Sequence, residues 1–440
     1  MKFKYGLLVA ASALTVSAVA QSKIDFVEYD LDNGLHVILH EDHSTPIVGV
    51  TVMYHVGSKN EDPTRTGMAH FFEHLLFEGS ENIGRGEFDK YIENAGGTLN
   101  ANTSNDRTFY HEILPSNQLE LGLWLESERM LHAKIENVGV ETQREVVKEE
   151  KRQRMDNQPY GSVLTEVFKR MYKEHPYQWT TIGSMEHLNQ ASLDDFMDFY
   201  KTFYVPNNAV LSIAGDFDIS KTKKMINSYF GSIPKGTKAI PTPTVVEPPL
   251  GGEVRDTVFD NIQLPAVIQA YRIPAQGTPD YYAVDMLTTL LSQGESSRFH
   301  KRVVDQDQLA LAAIAVPFGL EHPGVSLSYL ICNAGVDPSK AENAIDEEVV
   351  RVQNEKISEK ELQKLKNQVE NQFASSNSKV VGVAESLANY HMYFGEANLI
   401  NTEIDRYMKV TADDIQRVAK EYFTPDNRVV LYYLPKTEEK

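Results

Sequence analysis

Two short stretches near the start of the chain, residues 26–29 and 35–39, mix apolar and polar positions at strand spacing, with Asp32, Asn33 and Gly34 between them. Period-two alternation puts one face of a strand on a core, and Asn-Gly suits the tight turn of a hairpin, so the pair predicts two joined strands. A third apolar stretch, 48–56, predicts another strand, and 98–103 with 108–114 predict a second hairpin. Helical spacing follows in segments rich in Glu, Leu and Phe. Residues 67–79 contain no proline, with Thr66 as a candidate cap and Gly79 placed to end the helix. A strongly charged stretch, 141–155, predicts a second helix. Hairpins and helices are mixed without a strict strand-helix-strand alternation, which predicts an α+β fold with largely antiparallel sheet. The pattern does not give the order of the strands.

Residues 234–252 interrupt this patterning with Pro234, Pro241, Pro243, Pro248 and Pro249, a density that removes backbone donors and favours extended chain. This segment is read as a linker between a first domain, 21–233, and a second, 253–440. The two are expected to be homologous. Residues 192–212, SLDDFMDFYKTFYVPNNAVLS, lie on 411–431, TADDIQRVAKEYFTPDNRVVL, at one offset without a gap. Asp194 and Asp195 meet Asp413 and Asp414, Pro206 meets Pro425, and Asn208 meets Asn427. Each copy carries a Ser or Thr cap, acidic residues in the first helical turn, and a Pro-Asn turn into an apolar strand.

The first twenty residues read as a secretory signal. Lys2 and Lys4 precede an apolar run, and Ala18-Val19-Ala20 ends it with the small residues that signal peptidase requires. The run is shorter than the ~20 residues of a bilayer span, and no later stretch is long and apolar enough for one. Export to a bacterial periplasm is therefore expected, and the single cysteine, Cys332, excludes a disulfide framework or a thiolate zinc site within one chain. Net charge is −19, the wrong sign for holding nucleic acid or anionic lipid by charge alone.

The candidate chemistry lies in His70-Phe71-Phe72-Glu73-His74. On a helix, residues four apart share a face, so His70 and His74 can offer two imidazoles to one ion while Glu73 stands beside them as a base. Phe71, Phe72, Leu75, Leu76 and Phe77 imply burial, and buried imidazoles require partners. A third ligand of carboxylate type is required. The charged stretch holds Glu145, Glu149 and Glu150, and spacing alone does not choose among them.

The H-x-x-E-H motif, the segment QREVVKEEKRQR from Gln143 and the segment HPYQWTTIGS from His175 resemble the pitrilysin family of inverted-motif zinc metallopeptidases, which includes insulinase and the mitochondrial processing peptidases, in its short two-domain bacterial form. The resemblance implies Glu150 as the third ligand, one Zn2+ per chain and Glu73 as general base. It places Gln143 where relatives carry an auxiliary Glu beside the ligand; an amide cannot add that charge. It also implies that the strand holding Asn100, Ala101 and Asn102 is a sheet edge to which a peptide adds; His111 on the same hairpin is read as a surface or packing residue.

In the second half, Asp285, Thr288 and Thr289 occupy the positions of His70, Glu73 and His74 and cannot make a zinc site. The resemblance implies a degenerate domain that contributes Arg298 to substrate binding, but Leu311 stands where relatives carry a Tyr. Family enzymes assemble four such domains, so this two-domain chain is expected to pair with a second subunit, as a heterodimer whose partner completes the pocket or as a homodimer. The function implied is a zinc-dependent endopeptidase acting on peptides or small unfolded proteins; the alternative is a non-catalytic or partner-dependent assembly subunit that keeps a structural zinc.

Overall fold

The structure, a computed structural model, describes residues 23–436. The expected signal sequence, 1–20, lies outside the described residues.

The strands form two sheets. In the first, β1 (Val27–Asp30), β2 (His36–Glu41), β3 (Ile47–Tyr54), β4 (Thr98–Thr103), β5 (Thr108–Pro115) and β6 (Ala209–Gly215) run in the order β1-β2-β6-β3-β5-β4. All neighbours are antiparallel except β2 and β6. Both β3 and β6 are buried almost end to end because helices cover both faces of the sheet, so they read as continuous apolar runs rather than alternating ones. At the rim, β4 alternates between exposed and half-buried residues.

The second sheet contains β7 (Val254–Asp260), β8 (Ala266–Ile273), β9 (Ala310–Phe318), β10 (Gly324–Cys332) and β11 (Arg428–Pro435), ordered β7-β11-β8-β10-β9. This is the order β2-β6-β3-β5-β4 repeated, with β7 and β11 again parallel. The sequence repeat falls on equivalent pieces: helices Leu193–Phe203 and Ala412–Tyr422 lead into β6 and β11. Ser192 accepts from the Asp195 N–H at 3.3 Å and Thr411 from the Asp414 N–H at 3.2 Å, each closing a capping box.

Two helices cross between the halves. Helix α3 (Val163–Met171) sets Val163, Val167 and Phe168 on Ile268, Leu431 and Tyr433 of the second sheet. In return α5 (Val380–Phe394) lays Val383, Ala384 and Leu387 on Ile38, Met53 and Val210 of the first. Packing thus crosses the 234–252 segment in both directions. That segment forms neither helix nor strand, yet it is fastened down. The Glu247 carboxylate accepts from the backbone N–H groups of Lys173, Glu174 and His175 at 2.8, 3.0 and 2.7 Å, and Leu250 is buried.

A buried charge cluster also joins the halves. Lys59, 2% exposed, pairs with Asp106 at 3.1 Å and with Glu321, which the loop between β9 and β10 inserts from the second half. Tyr177 donates to Asp106 at 2.5 Å, and His55 Nε2 lies 2.9 Å from Glu321. This gives Tyr177 of the HPYQWTTIGS segment a structural task.

Candidate active site

Helix α1 (Met68–Leu75) carries the H-x-x-E-H motif and is shorter at both ends than the predicted 67–79. Thr66 is not its cap. Gly67 precedes it with a left-handed φ of 96°, and the buried Glu61 carboxylate accepts from the N–H groups of Gly67 at 2.8 Å and Ala69 at 2.9 Å. Thr66 instead bonds His187 and the Ser184 N–H. Local cap rules favour Ser or Thr because their short side chains reach the first turn; here a longer carboxylate arrives from the preceding turn. Gly183 holds the other side, since a Cβ on it would come 2.3 Å from the Gly67 nitrogen. An orphaned buried donor costs about 1–3 kcal/mol, so Glu61→Ala is expected to lower stability by about 2–4 kcal/mol in denaturant unfolding. An unchanged midpoint would show the cap to be idle.

Helix α2 (Asn137–Lys151) brings the third residue. His70 Nε2 and His74 Nε2 lie 3.5 and 3.1 Å from Glu150 Oε2, and the two imidazole rings stand 83° apart. Tetrahedral zinc with ligand arms of about 2.0–2.1 Å sets its ligand atoms about 3.3 Å apart, so the set fits that ion. The donors fit it too. Burial, reinforced by His74, pushes the His70 pKa down to about 4, leaving a neutral ring with a free lone pair. Glu150 Oε2 is buried against the two imidazole nitrogens, while Arg154, one turn on, holds Oε1 at 2.6 Å. Contact with His74 keeps the Glu150 pKa below the usual value.

Glu73 stands on the same helix with its carboxylate pKa raised by burial. Thr103 Oγ1 donates to its Oε2 at 2.7 Å. Sequence reading missed Thr103, although it closes the strand already singled out. On β4, Thr103 shares a face with Ala101, which pairs with Tyr110; the Tyr110 hydroxyl reaches the Phe72 carbonyl of α1 at 2.9 Å. Asn100 and Asn102 therefore point to the opposite face. Asn100 sits across from His111, and Asn102 accepts from Arg107 at 2.5 Å. What β4 presents near α1 is Ala101, Thr103 and a free backbone edge.

The other candidates lie elsewhere. Glu145 and Glu149 are exposed and paired with Lys148 and Arg152. Gln143 donates to Glu78 at 2.5 Å, and Glu78 also pairs with Arg85. The negative charge missing at position 143 is thus present on its partner. On α4 (Pro279–Ser292), the counterpart of α1, Asp285 accepts from Tyr407 at 2.7 Å and Thr288 bonds the Val284 carbonyl at 2.9 Å. Arg298 pairs with Glu361 at 3.1 Å on a cavity of about 640 Å³ also lined by Lys301, Arg302, Lys360 and Lys364. Leu311, 59% exposed, lies on the rim strand β9.

Residues 36–184 match the family model described as Insulinase (Peptidase family M16), and residues 190–369 match that of the Peptidase M16 inactive domain. The chain is 32% identical over 412 residues to the zinc protease PqqE of Helicobacter pylori, covering 92% of each. A crystal structure of a protease from Helicobacter pylori superposes at TM-score 0.89 with 31% identity, covering 93% of this chain and 100% of that one. The periplasmic protease PqqL from Escherichia coli shares the fold at TM-score 0.77 and 18% identity, covering 95% of this chain but 48% of that longer one.

Proposed function

Because the chain belongs to the insulinase family, peptidase family M16, we propose that it is a zinc-dependent endopeptidase of peptides or small unfolded proteins. The observation that carries this reading is the convergence of His70, His74 and Glu150 on one point beside Glu73. His70, His74 and Glu150 would hold one Zn2+ per chain, and the ion, when bound, supplies a Lewis acid that polarises a carbonyl and acidifies water. Glu73 takes the proton of the attacking water and returns it to the leaving amine. Burial keeps that carboxylate basic, and Thr103 fixes one of its oxygens so that the other meets the proton. The free edge of β4 aligns the substrate as an added strand, which makes recognition depend on backbone more than on side chains.

A paired subunit belongs to this proposal. The fold of this chain accounts for about half of the longer PqqL chain, and Leu311 leaves its own second half without the expected Tyr. The partner would then complete the pocket beside the zinc site of this chain, as a second kind of subunit or as a second copy. The first twenty residues would direct export to the periplasm; among the described residues no helix is long and apolar enough to cross a membrane.

Cleavage of an unfolded peptide by the purified chain, alone and with a candidate second subunit, tests the proposal. Expected is cleavage that a chelator abolishes and zinc restores. Zinc-loaded protein that cleaves in neither arm would favour a non-catalytic assembly subunit.

A further inference from the structure

One helix sets His70 and His74 side by side, but Glu150 reaches them from the C-terminal end of α2, so the three-residue set depends on what holds that end. The chain there does not stop as a regular helix. Residues 152–156 widen into a π turn, closed by the Asn157 N–H on the Arg152 carbonyl at 2.8 Å and by Lys151 on Asp156 at 2.6 Å. Arg154 stands in this turn and holds Glu150 Oε1 at 2.6 Å, which leaves Oε2 to face the imidazoles. The Arg154 side chain is 76% exposed, and an exposed ion pair contributes little by itself. Its geometry therefore depends on the backbone that carries it.

That backbone is pinned to the other half of the molecule. Tyr160 adopts a left-handed φ of 61°, a conformation that is unfavourable for a bulky residue and persists only where the surroundings enforce it. The contacts that enforce it come from the second half. The Tyr160 N–H donates to Asp260 Oδ2 at 2.9 Å, its hydroxyl donates to the Leu264 carbonyl at 2.7 Å, and its ring stands edge-on to Tyr329 of β10 with ring centres 5.7 Å apart. The next residue fits back onto the π turn. A Cβ at Gly161 would come 2.2 Å from the Met155 carbonyl oxygen, so only glycine allows the contact. Met155 packs on the core of the first half and Tyr160 on a core of the second sheet. Residues 151–160 thus lead from the third ligand to a fixed point on the second half, with Arg154 between.

We propose that Arg154 and Tyr160 are positioning residues for the metal, through which the second half, lacking ligands of its own, holds Glu150 in place for zinc. The inference rests on the zinc reading and adds to it a task for the degenerate half. Metal affinity, and not stability alone, then depends on the contact between the halves. Loss of Arg154 frees the Glu150 carboxylate to turn away from the imidazoles. Loss of the Tyr160 pins lets the π turn, and with it the end of α2, shift as a unit. Groups that orient a metal ligand typically change affinity by about 10–100-fold when removed.

Zinc affinity of the full chain, measured by competition with a chromophoric chelator, provides the test, together with the visible spectrum of the cobalt-substituted protein, which reports the ligand set. Arg154→Ala, and separately the double variant Tyr160→Phe with Asp260→Ala, are expected to weaken zinc binding by about 10-fold or more and to alter the cobalt spectrum, although neither removes a ligand. Arg154→Lys keeps a cation within reach of Glu150 and is expected to recover part of the affinity. Tyr160→Phe alone, one hydrogen bond lost, is expected to show the same shift in smaller degree. Positions 154, 160 and 260 are at least partly exposed, so these changes are compatible with folding, which circular dichroism and the thermal midpoint of the metal-free protein verify. A purely structural role would lower that midpoint and leave zinc affinity at the wild-type value, which would overturn the proposal. A loss confined to Arg154→Ala would overturn it as well, since the second half would then take no part. A wild-type chain that binds no zinc would instead overturn the zinc reading itself, and the inference with it.

Discussion

Glu73→Gln is expected to cut peptide cleavage by about 10²–10⁴-fold while the zinc content stays at the wild-type value. The amide is isosteric, keeps an oxygen for the Thr103 hydroxyl at the observed 2.7 Å, and changes none of the three side chains that meet at Glu150. What it loses is the ability to accept a proton. Elemental analysis and a peptide assay on one preparation separate the roles: zinc loss would make Glu73 a ligand, and retained activity would move the base elsewhere. His74→Ala is the natural control, since it should lose metal and cleavage together.

Lys59→Met is expected to have the largest effect on stability, about 3–5 kcal/mol, the usual cost of breaking a buried ion pair from one side. Methionine fills similar volume, so the loss is electrostatic. Asp106, 2% exposed, and Glu321 would face each other without a cation, with the Tyr177 hydroxyl and the Glu321 N–H on Asp106 and His55 on Glu321 as remaining partners. Adding Asp106→Asn and Glu321→Gln should recover much of the loss, because the neutral side chains carry no uncompensated charge. Denaturant midpoints of the single and triple variants check this. A midpoint unmoved by Lys59→Met would mean that the two carboxylates accommodate a proton or water at little cost.

How much of the architecture was legible follows from the range of each signal. The repeat between 192–212 and 411–431 is local in each copy, and it landed on helix, cap and strand alike. The parallel pairing of β2 with β6 joins residues about 170 positions apart and leaves no mark in either segment. Helix periodicity located His70, Glu73 and His74 on one helix; it could not choose among Glu145, Glu149 and Glu150, since that depends on which face of α2 meets α1. Family resemblance pointed to Glu150, the residue that lies against both imidazoles. Glu61, Thr103 and Arg154 were missed because a carboxylate, a hydroxyl and a guanidinium at such positions look like ordinary surface residues until the tertiary fold surrounds them. The Asn side chains of β4 attracted attention through composition, but strand alternation turns them away from α1.

The reciprocal transfer of α3 and α5 means that neither half is complete on its own. A fragment ending before residue 234 would expose Ile38, Met53 and Val210, a sticky surface that invites aggregation, and the complementary fragment would do the same with Ile268 and Leu431. During synthesis the first sheet must wait for residues 380–394 before it is fully covered, so that face stays open to water until nearly all of the chain has been made.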